Sequence, residues 1–548
     1  MTFLENIFKQ LESAPEAEFL REIPDAKPVT VTGAELLEMV GHARAFLVQK
    51  GLKKGDRCGL LAHNSIRWVA MDLALMAEGL IVVPLYARQA PAELVAMMKD
   101  CSPEMICCGD IESQKAIKQI WPEVPPQYLF DEIFATKAIG AGKPQISDND
   151  PVAIIYTSGT SGEAKGVIIN ASNVGFILER TASRLNSLMD GAAGQERVYH
   201  YLPFCFCASW IAMLSYLSRR SLVTLNLDLT KLSGEMRAAA PDYFLNVPAL
   251  LERMRKAVDE QIWKTGGIVL GIYSRAKAAW TRKQEGKPQA MDGIWLGVAN
   301  AAVFPAIRKK MIGPKLRGLI SGSAPLNVET QHYFTMLGIP VLQVYGLTET
   351  TGICTMDDPR RVIPGRVGPV IDGLEMKLGE NDEIMVRGAN VFSGYWNRPQ
   401  ETAKVLRDGW FHTGDQGEID AAGNWRIAGR IKNLIILGSG HNIAPEPIEE
   451  KVLNHLTGAQ QVVLVGNGRG YLSAVITGSV TREQAQAAID AVNPDLPHYK
   501  QIRAFYLQAE SFSIDNGLLT ANGKLKRDAI ATRLKSEIEE MYKVKQAS

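Results

Sequence analysis

Along this chain, stretches with apolar residues every three to four positions alternate with short runs that are apolar almost throughout. The first kind covers Ala34 to Lys50, Ser65 to Glu78 and Ala92 to Lys99 and predicts helices. The second covers Arg57 to Ala62, Leu80 to Pro84 and Glu104 to Cys108 and predicts buried strands. This alternation calls for an α/β fold with mainly parallel strands, because each parallel pair needs a crossover long enough to hold a helix. From Glu260 to Lys310 the pattern changes to mixed Lys, Arg, Ala and Trp at helical spacing, which predicts a helical insertion or a cap on one sheet. A Gly/Asp-rich segment ends near Arg430 to Asn433, and a smaller α/β unit follows, closing on a charged helical stretch from Asp528 to Lys545.

At 548 residues the chain exceeds one hydrophobic core, so at least two domains are expected. A hydrophobic content of 46% with 22% charged residues suits a soluble globular enzyme. The formal net charge of +1 gives no overall reason to expect nucleic acid or acidic lipid as a partner. The most apolar stretch, Val69 to Tyr86, is broken by Asp72 and Glu78, so no transmembrane segment is expected; peripheral membrane contact stays open. Seven cysteines are scattered, with Cys107-Cys108 in one apolar strand-like run and Cys205 and Cys207 alternating along another. None has zinc spacing, which predicts buried thiols in a reducing cytoplasm. Gly466-Asn467-Gly468-Arg469-Gly470 lacks the helix and acidic partner of a dinucleotide loop and reads as a turn.

The candidate chemistry lies in three segments. Tyr156 to Val167 places four Ser/Thr hydroxyls, three glycines and Lys165 between two apolar runs. Glycines let backbone N–H groups turn inward, and hydroxyls and a lysine add donors for anionic oxygens, which makes a polyphosphate clasp. It is not a Walker loop, since no Gly-Lys-Ser/Thr stands at the required spacing. Val341 to Thr350 is an apolar strand ending in a glycine turn with Thr348 and Glu349. A carboxylate beside hydroxyls suits Mg²⁺ with phosphate, and Tyr345 suits stacking on a purine. The third segment carries Asp415 and Arg430, which suit ribose hydroxyls and a nearby phosphate.

In this order the three segments resemble the adenylate-forming superfamily of acyl-CoA synthetases, firefly-type luciferases and peptide-synthetase adenylation domains. The resemblance runs from about Val31 to Arg527. It implies a large multi-subdomain N-terminal α/β domain (1–430), a hinge (431–434) and a small mobile C-terminal α+β domain (435–548). Thr157, Ser158, Gly159, Thr160, Ser161, Gly162 and Lys165 match its phosphate loop. Gly322, Ser323 and Ala324 match the segment along the adenine, Tyr345 and Gly346 the adenine-stacking turn, Thr348 a phosphate contact and Glu349 the Mg²⁺ ligand. Asp415 and Arg430 match the ribose pair, Lys432 the hinge residue, and Asn522-Gly523-Lys524 the motif whose lysine is catalytic. Gly440 and His441 match the thiol tunnel. The implied reaction uses ATP and Mg²⁺ to turn a carboxylic acid into acyl-AMP, then passes the acyl group to coenzyme A.

Ala444-Pro445-Glu446-Pro447-Ile448-Glu449, Tyr201-Leu202-Pro203 and Asn246-Val247-Pro248 look most like long-chain fatty acyl-CoA synthetases. The chain departs from them at Phe206, where histidine is common, at Asn246 (glycine), at Ala249 (arginine) and at His441 (glutamate). The first three belong to segments associated with the acyl pocket. Exchanging polar groups for Phe206 and Ala249 agrees with a medium- to long-chain fatty acid and equally with an aromatic or polycyclic acid. Transfer to a carrier-protein phosphopantetheine is the alternative to CoA. A non-catalytic acyl or nucleotide sensor would be expected to lack Lys524, Glu349 or Asp415, and all three are present. No nucleic-acid partner is implied, and monomer and homodimer both stay open.

Overall fold

The computed structural model describes residues 1–24, 27–140, 142–158, 164–520 and 523–543. It forms two compact units: residues 1–376, 386–411 and 420–425, and residues 377–385, 412–419 and 426–548. The smaller unit thus starts at Arg426, slightly before the expected border, and takes in two earlier strand segments. Those travel with it because Thr413 Oγ1 donates to the Ile384 carbonyl at 2.7 Å and Gly417 lies under the Ile384 side chain.

In the larger unit, Arg57–Leu61, Ile81–Leu85 and Met105–Cys108 are parallel neighbours in a seven-stranded sheet. Buried on both faces, they read as unbroken apolar runs. An eight-stranded sheet carries Arg197–His200, Leu222–Leu225, Tyr243–Asn246, Gly318–Ser321 and Val341–Tyr345, all parallel. The helix Ile66–Ala77 touches Glu18–Glu22 of this sheet and Arg57–Leu61 and Ile81–Leu85 of the other. Lying between two sheets, it has no polar face, and every residue but Arg67 is buried. Its one carboxylate, Asp72, accepts from Trp210 Nε1 at 3.0 Å, and burial pushes it up to about 7. The segment from Pro248 to Met311 is the crossover between the parallel strands Tyr243–Asn246 and Gly318–Ser321, built as four helices, Pro248–Thr265, Gly267–Gln284, Asp292–Ala302 and Phe304–Met311.

In the smaller unit, Ala459–Val465, Leu472–Gly478 and Ile502–Gln508 form a three-stranded sheet. Strand alternation sends Val462, Leu464, Ala474 and Ile476 to one face, against helices Glu446–Asn454 and Arg482–Val492. Val463 and Val475 go to the other face, against Ile530 and Met541 of the last two helices and Leu534 between them.

The seven cysteines are buried, and no disulfide joins them. Cys205 and Cys207 do not lie on a strand, as their alternation suggested: a turn ends at Phe206, and Cys207 opens the helix Cys207–Ser218. No helix among the described residues is long and apolar enough to cross a membrane.

Candidate active site

Parallel strands present their carboxyl ends on one edge, the usual place for a ligand in α/β sheets. Pro151–Ser158 and Ala164–Asn170 form an antiparallel hairpin at such an end, with Thr157 paired to Lys165. Its tip, which includes Gly159, Thr160, Ser161 and Gly162, lies outside the described residues. Lys165 Nζ sits 2.6 Å from Glu401 Oε2 and 5.2 Å from the ring centre of Tyr395. Hydrogen bonds from Lys165 and Lys404 hold the Glu401 carboxyl down to about 2.

The Tyr395 hydroxyl donates to Glu349 Oε1 at 2.8 Å. One aromatic side chain therefore joins the loop lysine to the carboxylate expected to hold Mg²⁺. Tyr395 is placed by its strand, where it pairs with Val167, and by its N–H, which donates to Thr402 Oγ1 at 2.9 Å. Glu349 and Thr348, both half-exposed, lie in the turn Thr348–Thr350 after Val341–Tyr345. The Leu347 N–H donates to Thr350 Oγ1 at 2.9 Å, and the Glu349 carbonyl accepts from the Phe392 N–H at 2.9 Å. Gly346 is required for this turn, because a Cβ there would lie 2.3 Å from the Gly352 carbonyl oxygen. The start of the apolar helix Cys207–Ser218 packs against the backbone just after this turn, where a Cβ at Gly352 would lie 3.4 Å from the Ala208 Cα.

Gly322 follows Gly318–Ser321 against Val344, which leaves 2.7 Å for a Cβ. Ser323 has φ +70° and is exposed with Ala324, whereas Tyr345 is buried. Asn246 Oδ1 and Ser321 Oγ, on register partners of adjacent strands, are both buried without a hydrogen-bond partner. Such orphans at strand ends mark a place where a ligand atom would be satisfied. Phe206 is half-buried, its ring 5.6 Å from Tyr86, and the Tyr201 hydroxyl accepts from the Val247 N–H at 3.2 Å. Asn246 and Ala249 differ in environment: the first is buried and the second exposed.

In the smaller unit, Asp415 is buried and Arg430 Nε lies 2.7 Å from its Oδ1. Lys432 follows in the turn Ile431–Asn433. Desolvation of its ammonium, then the positive charges of Arg430 and Lys524, holds it down to about 8 against the opposing pull of Asp415 and Asp528. Lys524 sits in a tight loop: Thr520 and Lys524 exchange bonds at 2.8 and 3.1 Å, and Gly523 adopts φ +72°. Asn522 lies outside the described residues.

Three residues beyond Lys524, Arg527 grips the buried Glu449 through both carboxylate oxygens, at 2.7 and 2.5 Å. It also approaches Glu446 Oε1 at 3.6 Å, which accepts from Asn433 Nδ2 at 2.6 Å. An ionic relay thus runs from the segment after Lys432 to the segment after Lys524. Gly440 is exposed with φ +82°, so any side chain there strains the backbone. The His441 ring stacks on Tyr499 at 4.2 Å and its Nδ1 lies 2.9 Å from Ser439 Oγ.

Sequence reasoning missed the parts that connect these groups: Tyr395, Glu401 and the Glu446–Glu449–Arg527 relay. A tyrosine after glycine in Ser393-Gly394-Tyr395-Trp396 was the one local cue.

The AMP-binding enzyme family matches residues 7–396, and the AMP-binding enzyme C-terminal domain matches residues 432–546. The long-chain-fatty-acid–CoA ligase FadD15 of Mycobacterium bovis is 25% identical over 585 residues, covering 98% of this chain and 96% of the relative. Long chain acyl-CoA synthetase 3 of Arabidopsis thaliana is 26% identical over 617 residues, covering 98% and 91%. Among solved structures, the O-succinylbenzoate CoA synthetase MenE of Bacillus subtilis with AMP has a TM-score of 0.74 at 20% identity, covering 96% of this chain and 97% of that one. MatB of Rhodopseudomonas palustris with ATP has a TM-score of 0.73 at 23% identity, covering 98% and 99%. With both of its parts matched in order, this chain belongs to the AMP-binding enzyme family.

Proposed function

We propose that this chain is an AMP-forming fatty acid–CoA ligase. A long-chain carboxylate attacks the α-phosphate of ATP to give acyl-AMP and pyrophosphate, and the thiol of CoA then displaces AMP. The observation that carries this reading is the continuous line Lys165–Tyr395–Glu349, with the start of an apolar helix packed against Gly352 just after it. Phosphate-binding and acyl-binding surfaces meet along it.

The donors fit Mg²⁺. Glu349 commits one oxygen to Tyr395, its other oxygen has no protein donor among the described residues, and the Thr348 hydroxyl is adjacent. Mg²⁺ favours one or two carboxylates with phosphate oxygens. When bound it neutralises charge on the phosphates. Lys165, with Thr157, Ser158, Gly159, Thr160, Ser161 and Gly162, holds the departing pyrophosphate. Gly322, Ser323 and Ala324 border the adenine, Tyr345 stacks on it over Gly346, and Asp415 with Arg430 takes the ribose.

Lys524 brings positive charge to the α-phosphate and the attacking carboxylate. Fixed charges of this kind stabilise the extra negative charge of the transition state without reorganising. The turn at Lys432 absorbs the rotation that withdraws Lys524 before the thiol enters past Gly440 and His441. Phe206, Asn246 and Ala249 border the acyl chain. We place the enzyme in the cytoplasm, where seven thiols outside any disulfide stay reduced.

The test is pyrophosphate release across acids from acetate to long-chain and aromatic, with CoA or holo-carrier protein as acceptor. Each buried methylene contributes about 0.8 kcal/mol, so specificity should climb from C4 to C14. A flat profile, or turnover only with an aromatic acid, would refute the substrate class. Thioester on the carrier protein alone would refute the acceptor.

A further inference from the structure

The helical crossover of the larger unit exposes apolar side chains that catalysis does not use. Trp263 is 71% exposed, Ile268 82%, Ile294 56%, and Val269, Met291 and Val298 are exposed too. These six are a third of the exposed large hydrophobics among the described residues, drawn from under a tenth of the chain, so they are not a random scatter. They sit at the end of Pro248–Thr265, the start of Gly267–Gln284, and just before (Met291) and along Asp292–Ala302, whose Ile294 and Val298 share one face at i, i+4. The helices themselves are anchored through buried Tyr273, Ala276, Ala279 and Ala299, while Ile268 and Val269 stand exposed in the first turn.

Charge identifies the occupant. Residues 264–310 hold nine lysines and arginines against two acids, Glu285 and Asp292, although the whole chain has a net charge of only +1. Asp292 is already taken by Arg282, and Lys277 is neutralised by Asp259 at 2.9 Å. Lys264, Arg275, Lys283, Lys287, Lys309 and Lys310 are exposed along the same helical segment, with Arg275 lying 4.8 Å over the Trp295 ring.

We propose that this helical face docks on an anionic lipid bilayer, apolar side chains entering the headgroup–acyl boundary and the lysines lying on the phosphates. An apolar face with tryptophan and a basic rim is the pattern of interfacial helices. A second copy of the chain is the less complementary occupant, since an isologous contact sets the basic rim against itself. The whole-chain charge gave no hint of this, because acids elsewhere cancel the local excess. The face would take the protein to the phase in which a long-chain acid dissolves. Binding does not depend on the proposed reaction, so the two are tested separately.

The experiment is vesicle flotation of the full chain with pure phosphatidylcholine or with phosphatidylglycerol added, at low and high salt. Wild type should float with phosphatidylglycerol vesicles at low salt and much less with neutral vesicles or in high salt. Lysines near an anionic surface each change partition about fivefold, so Lys309→Glu with Lys310→Glu should lower it more than tenfold. Ile268→Asp with Ile294→Asp should abolish it. Circular dichroism and turnover of a water-soluble short-chain acid verify that the variants are folded. Equal flotation of wild type and variants, or indifference to phosphatidylglycerol, would overturn the proposal. So would a dimer seen by light scattering that the isoleucine variants dissolve while wild type fails to float.

Discussion

Tyr395→Phe isolates one bond in the candidate site. It deletes the hydroxyl that donates to Glu349 Oε1 at 2.8 Å but keeps the ring lying 5.2 Å from the Lys165 ammonium. A hydrogen bond to a charged group contributes roughly 1.5–3 kcal/mol. Glu349 is half-exposed, so the lower part of that range applies, about 1.5–2 kcal/mol, or roughly 10- to 30-fold in rate. Without the hydroxyl the carboxylate loses its orienting donor, and the loss should appear as lower kcat/KM for adenylation and a higher Mg²⁺ requirement. The KM for ATP should change little, because the ring still supports Lys165. Tyr395→Ala removes both functions and should cost about a further 0.5–2 kcal/mol, now with a raised KM for ATP. The assay is pyrophosphate release titrated with Mg²⁺ at saturating acid. If Tyr395→Phe stays within twofold of wild type at every Mg²⁺ concentration, the bond does not orient a metal ligand and the reasoning fails.

Four further outcomes are expected. Lys524→Ala should slow adenylation by roughly 3–4 kcal/mol of barrier while sparing thioester formation from supplied acyl-AMP, and equal losses in both half-reactions would remove it from the first step. Lys432→Pro fixes φ and deletes an N–H, so thioester formation should collapse while pyrophosphate exchange persists; equal slowing of both would exclude this residue as the pivot. Arg527→Ala strands the buried Glu449 carboxylate, which should cost about 3–5 kcal/mol of stability, seen as a lower melting temperature, and an unchanged melt would show the relay to be idle. Asp72 has a folded pKa of about 7, above its unfolded value, so its stabilising contribution is complete below about pH 4 and lost as pH rises through 7. Asp72→Asn should therefore lose less melting temperature than wild type between pH 5 and 8; identical slopes would contradict this.

What was legible in the sequence was local. Pro151–Ser158 and Val341–Tyr345 are contiguous, and their strand character follows from their apolar runs. The groups that connect them were not legible, because the contacts are long-range: 236 residues separate Lys165 from Glu401, 46 separate Glu349 from Tyr395 and 78 separate Glu449 from Arg527. Nothing in a local window says which charge finds which. Cys205 and Cys207 show the opposite failure, where two-residue spacing imitated a strand over a turn that leads into a helix. Ala249 and Asn246 were grouped by a motif, yet their burial differs because one ends a strand and the other begins a helix.

The central claim is that the acid is activated as an acyl-adenylate before a thiol accepts it. In that path a carboxylate oxygen forms the bond to the α-phosphorus, and the thiol later attacks the carbonyl carbon, so AMP leaves with that oxygen. Turnover of a long-chain acid labelled with ¹⁸O in its carboxylate, with ATP, Mg²⁺ and CoA, tests this directly by mass spectrometry of the nucleotide product. The account predicts AMP carrying one labelled oxygen, together with pyrophosphate and acyl-CoA. ADP, or AMP without the label, would contradict it.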